Sequence, residues 1–229
     1  DAITPSLVVC PKSVLDVWAA EVVKFAPSLK IQVLRNKDEL DMEALETRLD
    51  ILVLNYAQLR VCIDSLKSIK WLAVVLDEGQ QIKNPDSKAA KSSRMLEASN
   101  RLVLTGTPLE NRLLDIWSLM SFAMPGVLGD RKYFREHFDR RKDGKAQSRL
   151  AARLRPFMLR RTKDQVAMDL PPRIEEDVLC KMEEDQANLY EDELARIQAI
   201  LSGAESDDAL RKNSFVILQG LMRLRQICC

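Results

Sequence analysis

The stretch Trp71-Leu72-Ala73-Val74-Val75-Leu76-Asp77-Glu78-Gly79-Gln80 decides how this chain reads. An apolar run, Ala73 to Leu76, leads straight into two carboxylates. A short apolar run with β-branched residues at its centre reads as a strand buried on both faces of a parallel sheet. Ligands of open parallel sheets gather at the carboxyl ends of the strands, where the two acids fall. On a continuing strand Asp77 and Glu78 would point to opposite faces. Gly79 is expected to let the chain turn, so that both acids face one site. Two carboxylates about 4 Å apart repel by about 4 kcal/mol at an effective dielectric of about 20, and a divalent cation would offset that. Oxygen-only ligands beside phosphates suit magnesium. An aspartate ending a strand is the usual magnesium-holding acid of nucleotide hydrolases. Alone, Asp-Glu-Gly reads equally well as a polar exit from a strand, so its neighbours must decide.

Upstream, Leu7-Val8-Val9-Cys10 reads as a first strand, followed by Pro11-Lys12-Ser13. Ser13 and Asp16 have capping-box spacing, opening a helix through Val14, Leu15, Val17, Trp18, Val22 and Val23. Two more strands, Ile31–Leu34 and Ile51–Leu54, flank a polar helix over about 38–49, and the second ends at Asn55-Tyr56. Downstream, a helix over about 87–96 precedes Arg101–Leu104, which runs into Thr105-Gly106-Thr107-Pro108. This alternation predicts an α/β fold, a parallel sheet sandwiched by helices. After Pro108, Leu113, Leu114, Ile116, Trp117, Leu119, Met120 and Phe122 cover most of a helix circumference and predict a buried helix. A basic, mostly helical segment over about 131–163 follows, with short strands expected at Phe157–Arg161 and, after the break at Leu170-Pro171-Pro172, at Ile174–Cys180. Two amphipathic helices end the chain, with stripes at Ala187, Tyr190, Leu194, Ile197 and Leu201 and at Ile217, Leu221, Leu224 and Cys228. With Gly203 stopping the first, they predict an antiparallel helical hairpin. The expected division is 1–181 and 182–229.

The 229 residues, 46% hydrophobic and 30% charged, can bury a sizeable core. No apolar run approaches the length of a membrane span and the N-terminus has no signal-peptide pattern, so no membrane partner is expected. The five cysteines show no CxxC spacing, and with His137 as the only histidine they predict neither a zinc site nor a disulfide framework, hence a reducing compartment. The net charge of +1 hides an asymmetry. Arg131 to Lys163 holds thirteen Lys/Arg against three Asp/Glu, and Asp164 to Asp208 holds fourteen Asp/Glu against three Lys/Arg. Such a basic block is either an electrostatic footprint for nucleic acid or a solvated helix face.

The stretches Leu7–Ser13, Asp77–Gln80 and Leu104–Asn111, together with Asn84, Pro156–Arg161 and Leu170–Pro172, resemble in order and spacing the Swi/Snf-type ATPases, the double-stranded-DNA translocases of helicase superfamily two. The resemblance covers nearly the whole chain. It implies most of a first RecA-like lobe followed by the start of a helical protrusion. It implies that Asp77 holds magnesium and that Glu78 orients and polarises the attacking water. Gln80 takes a place where many relatives carry histidine, and its amide can donate to a phosphate or across to the next motif. Thr105, Gly106 and Thr107 resemble the motif that couples nucleotide state to movement, their hydroxyls within reach of the acids. Pro11, Lys12 and Ser13, where a strand meets a helix N-terminus, suit a DNA phosphate. Asn55, Tyr56, Lys83 and Asn84 occupy equivalent strand ends, and Arg160 and Arg161 match the family's twin arginines. Such contacts would track double-stranded DNA without reading its sequence. Ordinary loops and caps would look the same at these single positions, and Arg160 and Arg161 could instead pair with the acidic segment that follows. A protein cargo on the DNA is possible. The compartment implied is the bacterial cytoplasm, at the nucleoid, or the eukaryotic nucleus.

One departure stands out. The chain has no Gly-x-x-x-x-Gly-Lys-Ser/Thr, the loop that cradles the β- and γ-phosphates. The expectation is therefore an incomplete lobe, cut from a protein that uses ATP and magnesium, with neither bound here and both acids facing solvent. Two rival readings are a catalytically dead DNA- or protein-binding scaffold, which would need none of Asp77, Glu78, Thr105 and Thr107, and a strand-separating helicase.

Overall fold

The computed structural model describes residues 4–106, 112–139, 144–166, 169, 174–202 and 207–228. They fall into two compact units, residues 1–160 and 161–229.

The first unit is built on five strands, β1 (Ser6–Cys10), β2 (Ile31–Leu34), β3 (Ile51–Asn55), β4 (Lys70–Leu76) and β5 (Glu97–Val103). All pair in parallel, in the order β2-β3-β1-β4-β5. Between them run α1 (Leu15–Phe25), α2 (Met42–Thr47), α3 (Tyr56–Leu66) and α4 (Lys88–Arg94). The path from β1 to β2 runs one way along the sheet, and every later step runs back the other way. Right-handed crossovers therefore put α1 on one face and α2, α3 and α4 on the other.

Strand alternation sorts the side chains accordingly. Leu7, Val9, Leu52, Leu54, Val74 and Leu76 join Leu45, Leu59, Leu66, Ala90 and Phe122 in the main core. Val8, Cys10 and Val53 point the other way, against Leu15 with Trp18 packed beside it. β1 and β3 are thus buried on both faces, as parallel strands require. The expected double burial of β4 holds on one face only. On the α1 face Val75 is half-buried, and Leu102, its partner on β5, stays 52% exposed. The reason is topological: α1 packs chiefly over β2 and β3.

Local chemistry sets the element ends. Asp41 caps α2, and Ser87 caps α4 through a bond from Ala90 N at 3.1 Å. The expected cap at Ser13 does not form. Residues Lys12–Val14 make a 3-10 turn after Pro11, and Val14 precedes α1 with no side-chain cap.

α5 (Leu113–Ala123) is the expected buried helix, with Ile116, Leu119, Met120 and Phe122 inside. The basic segment is helical, through α6 (Arg131–Phe134), a π turn (Arg135–Asp139) and α7 (Gly144–Leu154). Phe134, Phe138, Leu150 and Leu154 close a small core with α5. The strand expected at Phe157–Arg161 is absent: Phe157 ends a 3-10 turn that Pro156 favours, and Met158 to Arg161 are irregular and exposed.

In the second unit a short α8 (Lys163–Val166) precedes α9 (Glu184–Ser202) and α10 (Asp207–Ile227). Ile174–Cys180 is not a strand; Ile174, Val178 and Leu179 are 80% or more exposed, and among the described residues no neighbouring strand accepts their backbone. α9 and α10 form the expected antiparallel hairpin, since Gln186 near the start of α9 donates to Ile227 O at the end of α10. The seam differs from the expected stripe. It runs through Gly220 and Leu224, leaving Leu221 54% exposed and Cys228 outside. Gly220 lies against Ile197, and without a Cβ it lets the helix backbones approach. Glu193 lines the same seam, paired with Arg196 at 2.6 Å and with Arg223 of α10 at 3.8 Å. Gly203 lies outside the described residues.

Candidate active site

β1 and β4 are neighbours whose outgoing connections part, one toward β2 over the α1 face and one toward β5 over the opposite face. That divergence opens a crevice at their carboxyl ends, where ligands of such sheets bind. Asp77 lies in it, one residue beyond β4.

Asp77 is held at four points. Its N–H donates to Val9 O at 2.8 Å, and its carbonyl accepts from Tyr56 Oη at 2.6 Å. Carboxylate Oδ1 accepts from Glu78 N at 2.9 Å, and Oδ2 accepts from Trp18 Nε1 at 2.9 Å. Burial first, then the negative charge of Asp77, pushes the Tyr56 hydroxyl above its ordinary range, so it stays a donor. The same two causes push the Cys10 thiol, in the neighbouring strand, up to about 12.

The turn that brings the second acid round is at Glu78, not at Gly79. Glu78 is the one non-glycine with positive φ among the described residues, at φ 50° and ψ 55°. A left-handed conformation there costs about 1–2 kcal/mol and must be held by its surroundings. Gly79 supplies the hold by close approach. Its N–H donates to Leu104 O at 2.8 Å, and any Cβ would overlap Val103 Cγ1. The 3-10 turn Gly79–Ile82 continues beneath α5, where the buried Ser118 hydroxyl donates to Ile82 O at 2.6 Å.

A relay crosses from the next strand end. Thr105 Oγ1 donates to Gln80 Oε1 at 2.9 Å, and Gln80 Nε2 donates to Glu78 Oε2 at 2.6 Å. Gln80 spans the two motifs because an amide both accepts and donates. Gly106 follows, exposed, with open space around its Cα. Thr107 lies outside the described residues. Both acids are half-buried rather than fully solvent-facing.

The donor set at the crevice is all oxygen. Each Asp77 oxygen accepts one bond here and keeps further lone pairs for a cation. No group of three His, Cys, Asp or Glu that could hold a metal occurs among the described residues. The all-oxygen donor set fits magnesium, which takes one or two carboxylates and completes its shell with phosphates and water.

The other expected contact residues gather by topology. Pro11, Lys12 and Ser13 follow β1, Asn55 ends β3, and Lys83 and Asn84 follow the turn after β4, so three adjacent strands bring them to one edge. Lys12, Ser13, Lys83 and Asn84 are exposed. Tyr56 leaves this set: it is 8% exposed and its hydroxyl is committed to Asp77. Asn55 caps α3, accepting from Ala57 N and Gln58 N at 2.9 and 3.0 Å. Arg160 and Arg161 are exposed, the first ending one unit and the second opening the other. Trp18 and Ser118 were legible only as apolar-face and helix residues. The one signal for Trp18 was a donor-bearing ring in the first turn of the helix leaving β1.

The model of the SNF2-related domain matches residues 1–229. An uncharacterized ATP-dependent helicase of Mycoplasma genitalium is 35% identical over 99% of this chain, which spans 22% of that protein. The ISWI chromatin-remodeling complex ATPase ISW2 of Saccharomyces cerevisiae is 33% identical over 98% of the chain, which spans 20% of it. Among solved structures, the Sulfolobus solfataricus SWI2/SNF2 ATPase core in complex with dsDNA superposes with a TM-score of 0.67 at 38% identity, covering 98% of this chain and 47% of that one. The parallel sheet, the acids at its crevice and these matches lead to one conclusion: the chain belongs to the SNF2-related family and forms the first RecA-like lobe of a SWI2/SNF2-type ATPase core.

Proposed function

We propose that this chain is the part of an ATP-dependent double-stranded-DNA translocase that carries its hydrolytic acids and coupling motif. The observation that carries the reading is the relay Thr105–Gln80–Glu78 beside the clamped Asp77. A scaffold has no use for an acid in a costly backbone conformation tied to the next motif. Asp77 is the residue that would hold magnesium, and the ion would supply neutralisation of the charge that develops on the phosphoryl group.

The chain's own residues do the rest. Glu78 orients and polarises the attacking water. Gln80 occupies one lone pair of Glu78 Oε2 and so sets the tilt of that carboxylate. Thr105 sets Gln80, and a shift of the Thr105-Gly106-Thr107 segment would therefore reach Glu78 within two hydrogen bonds. Pro11, Lys12, Ser13, Asn55, Lys83 and Asn84 form the edge that meets DNA phosphates, with Arg160 and Arg161 as further backbone contacts. Contacts of that kind bind without sequence preference. Two relatives from Saccharomyces cerevisiae, the chromatin-remodeling complex ATPase ISW2 and the TATA-binding protein-associated factor MOT1, support a protein cargo on the DNA. The sequence carries no phosphate-cradling loop, so residues 1–229 alone hydrolyse no ATP.

The test is DNA-stimulated ATP hydrolysis by the full-length protein. Glu78→Gln is expected to lower kcat by about 100-fold or more, as loss of a positioned acid–base group does, while DNA binding stays intact. Hydrolysis that survives Glu78→Gln would overturn the assignment. DNA binding with no hydrolysis in the unmodified protein would leave the scaffold, and robust strand displacement would restore the helicase.

A further inference from the structure

We infer that Trp18 is a positioning residue for Asp77: its indole N–H holds the carboxylate in the orientation from which it takes a divalent cation. The inference rests on the magnesium reading of Asp77 above. Trp18 stands in the first turn of α1, and its Nε1 reaches Asp77 Oδ2 at 2.9 Å across 59 residues of sequence. Its ring is half-buried beside the cluster of Val8, Cys10, Leu15 and Val53. Any apolar ring would fill that place, and phenylalanine would do so without a polar atom. The indole adds one N–H and no acceptor, which is what an ionised carboxylate can use.

The geometry shows what the bond does. A carboxylate held at one oxygen still turns about its last torsion, which is broad and roughly two-fold. Asp77 is held at both, Oδ1 by Glu78 N and Oδ2 by Trp18, so its plane is set. Each oxygen then presents its remaining lone pair in a fixed direction. Donors that orient a metal-ligating group in this way typically carry about 10–100-fold of metal affinity or activity.

Two measurements test this. The first is residue-resolved hydrogen exchange by NMR on the 229-residue chain. Trp18→Phe is expected to speed exchange of the Glu78 N–H, which donates to Asp77 Oδ1, by about tenfold, the worth of one hydrogen bond. The Gly79 N–H, which donates to Leu104 O instead, is the control and should not change. Unchanged Glu78 exchange overturns the clamp, and so does an equal acceleration at Gly79, which would mean plain destabilisation. If Trp18→Phe does not fold, Asp77→Ala asks the converse: the Trp18 indole N–H should exchange about tenfold faster, and unchanged exchange refutes the bond.

The second measurement is the magnesium dependence of ATP hydrolysis in the full-length protein. Trp18→Phe should raise the half-saturating magnesium concentration by about 10–100-fold, with kcat at saturating magnesium nearly kept. A moved Glu78 readout with unmoved magnesium dependence would refute the magnesium role of Asp77 and leave the clamp standing.

Discussion

Replacing Gly79 by alanine tests the packing that sets the acids. The new Cβ would overlap Val103 Cγ1 and lie 3.4 Å from Leu104 O and 3.7 Å from Leu119 Cδ2. Carbon atoms rest about 3.5–4.0 Å apart, so something must move. Val103 is β-branched and stiff at χ1, and its strand is bonded to β4, so a rotamer change is poorly placed to give relief. The turn must lift away from β5, stretching the Gly79 N to Leu104 O bond, now 2.8 Å. Overpacking costs about 1–3 kcal/mol, and one weakened backbone bond adds about 0.5–1.5 kcal/mol. The sum, about 1.5–4.5 kcal/mol, would lower the urea midpoint by about 0.8–2.3 M at an m-value of about 2 kcal/mol/M. Val103→Ala removes the obstructing methyl. In the double variant the penalty of Gly79→Ala should shrink, with a coupling energy of about 1 kcal/mol or more. A loss under about 0.5 kcal/mol for Gly79→Ala, or strict additivity of the pair, would refute the close-approach account of this glycine.

Ser118→Ala leaves the buried Ile82 carbonyl without its 2.6 Å donor. It should cost about 1–3 kcal/mol in urea unfolding, and a change below about 0.5 kcal/mol would mean that another donor takes its place. Thr105→Val keeps the shape and removes the hydroxyl that orients Gln80, so the full-length protein should lose its DNA stimulation of ATP hydrolysis more than its DNA affinity, read by parallel hydrolysis and binding titrations. Cys10 is held as a thiol by burial and by Asp77, with its pKa raised from 9.0 to about 12. Because the folded value is the higher, its contribution to stability is complete below pH 9.0 and is lost as pH rises from there toward 12. Unfolding measured from pH 8 to pH 11 should therefore show an alkaline loss that Cys10→Ala reduces, on a scale of about 1.4 kcal/mol per unit. At pH 8 a thiol reagent should modify the exposed Cys180 and Cys228 well before Cys10 or Cys62, which are buried.

Local patterning carried much of this molecule. Each of the five apolar runs became part of a strand, and their alternation with helices gave the parallel sheet; β1 and β3 read most clearly, because a parallel strand buried on both faces has to be apolar on both sides. Asp77 was legible for the same reason, as the first polar residue after such a run. The two missed strands share one cause. Phe157–Arg161 and Ile174–Cys180 have strand-like composition, yet a strand exists only where another offers its backbone, and none does so here among the described residues. The α10 seam was misjudged because a glycine adds nothing to an apolar stripe, although Gly220 packs directly against Ile197 of α9.

The site divides along the same line. Which residues are acids, amides and hydroxyls, and that they end strands of one parallel sheet, is written in composition and spacing. Which of them touch is not. Nothing local couples Trp18 to Asp77 across 59 residues or Thr105 to Gln80 across 25. The strand order, with β1 beside β4 and β5 beyond, makes both meetings possible. The turn at the acids shows this most sharply. Gly79 invites a positive φ, but the left-handed residue is Glu78, because Val103 and Leu104 on the neighbouring strand leave Gly79 only the space its missing Cβ vacates. Backbone freedom is a property of one residue, whereas the demand for that space comes from β5, and only the folded sheet brings the two together.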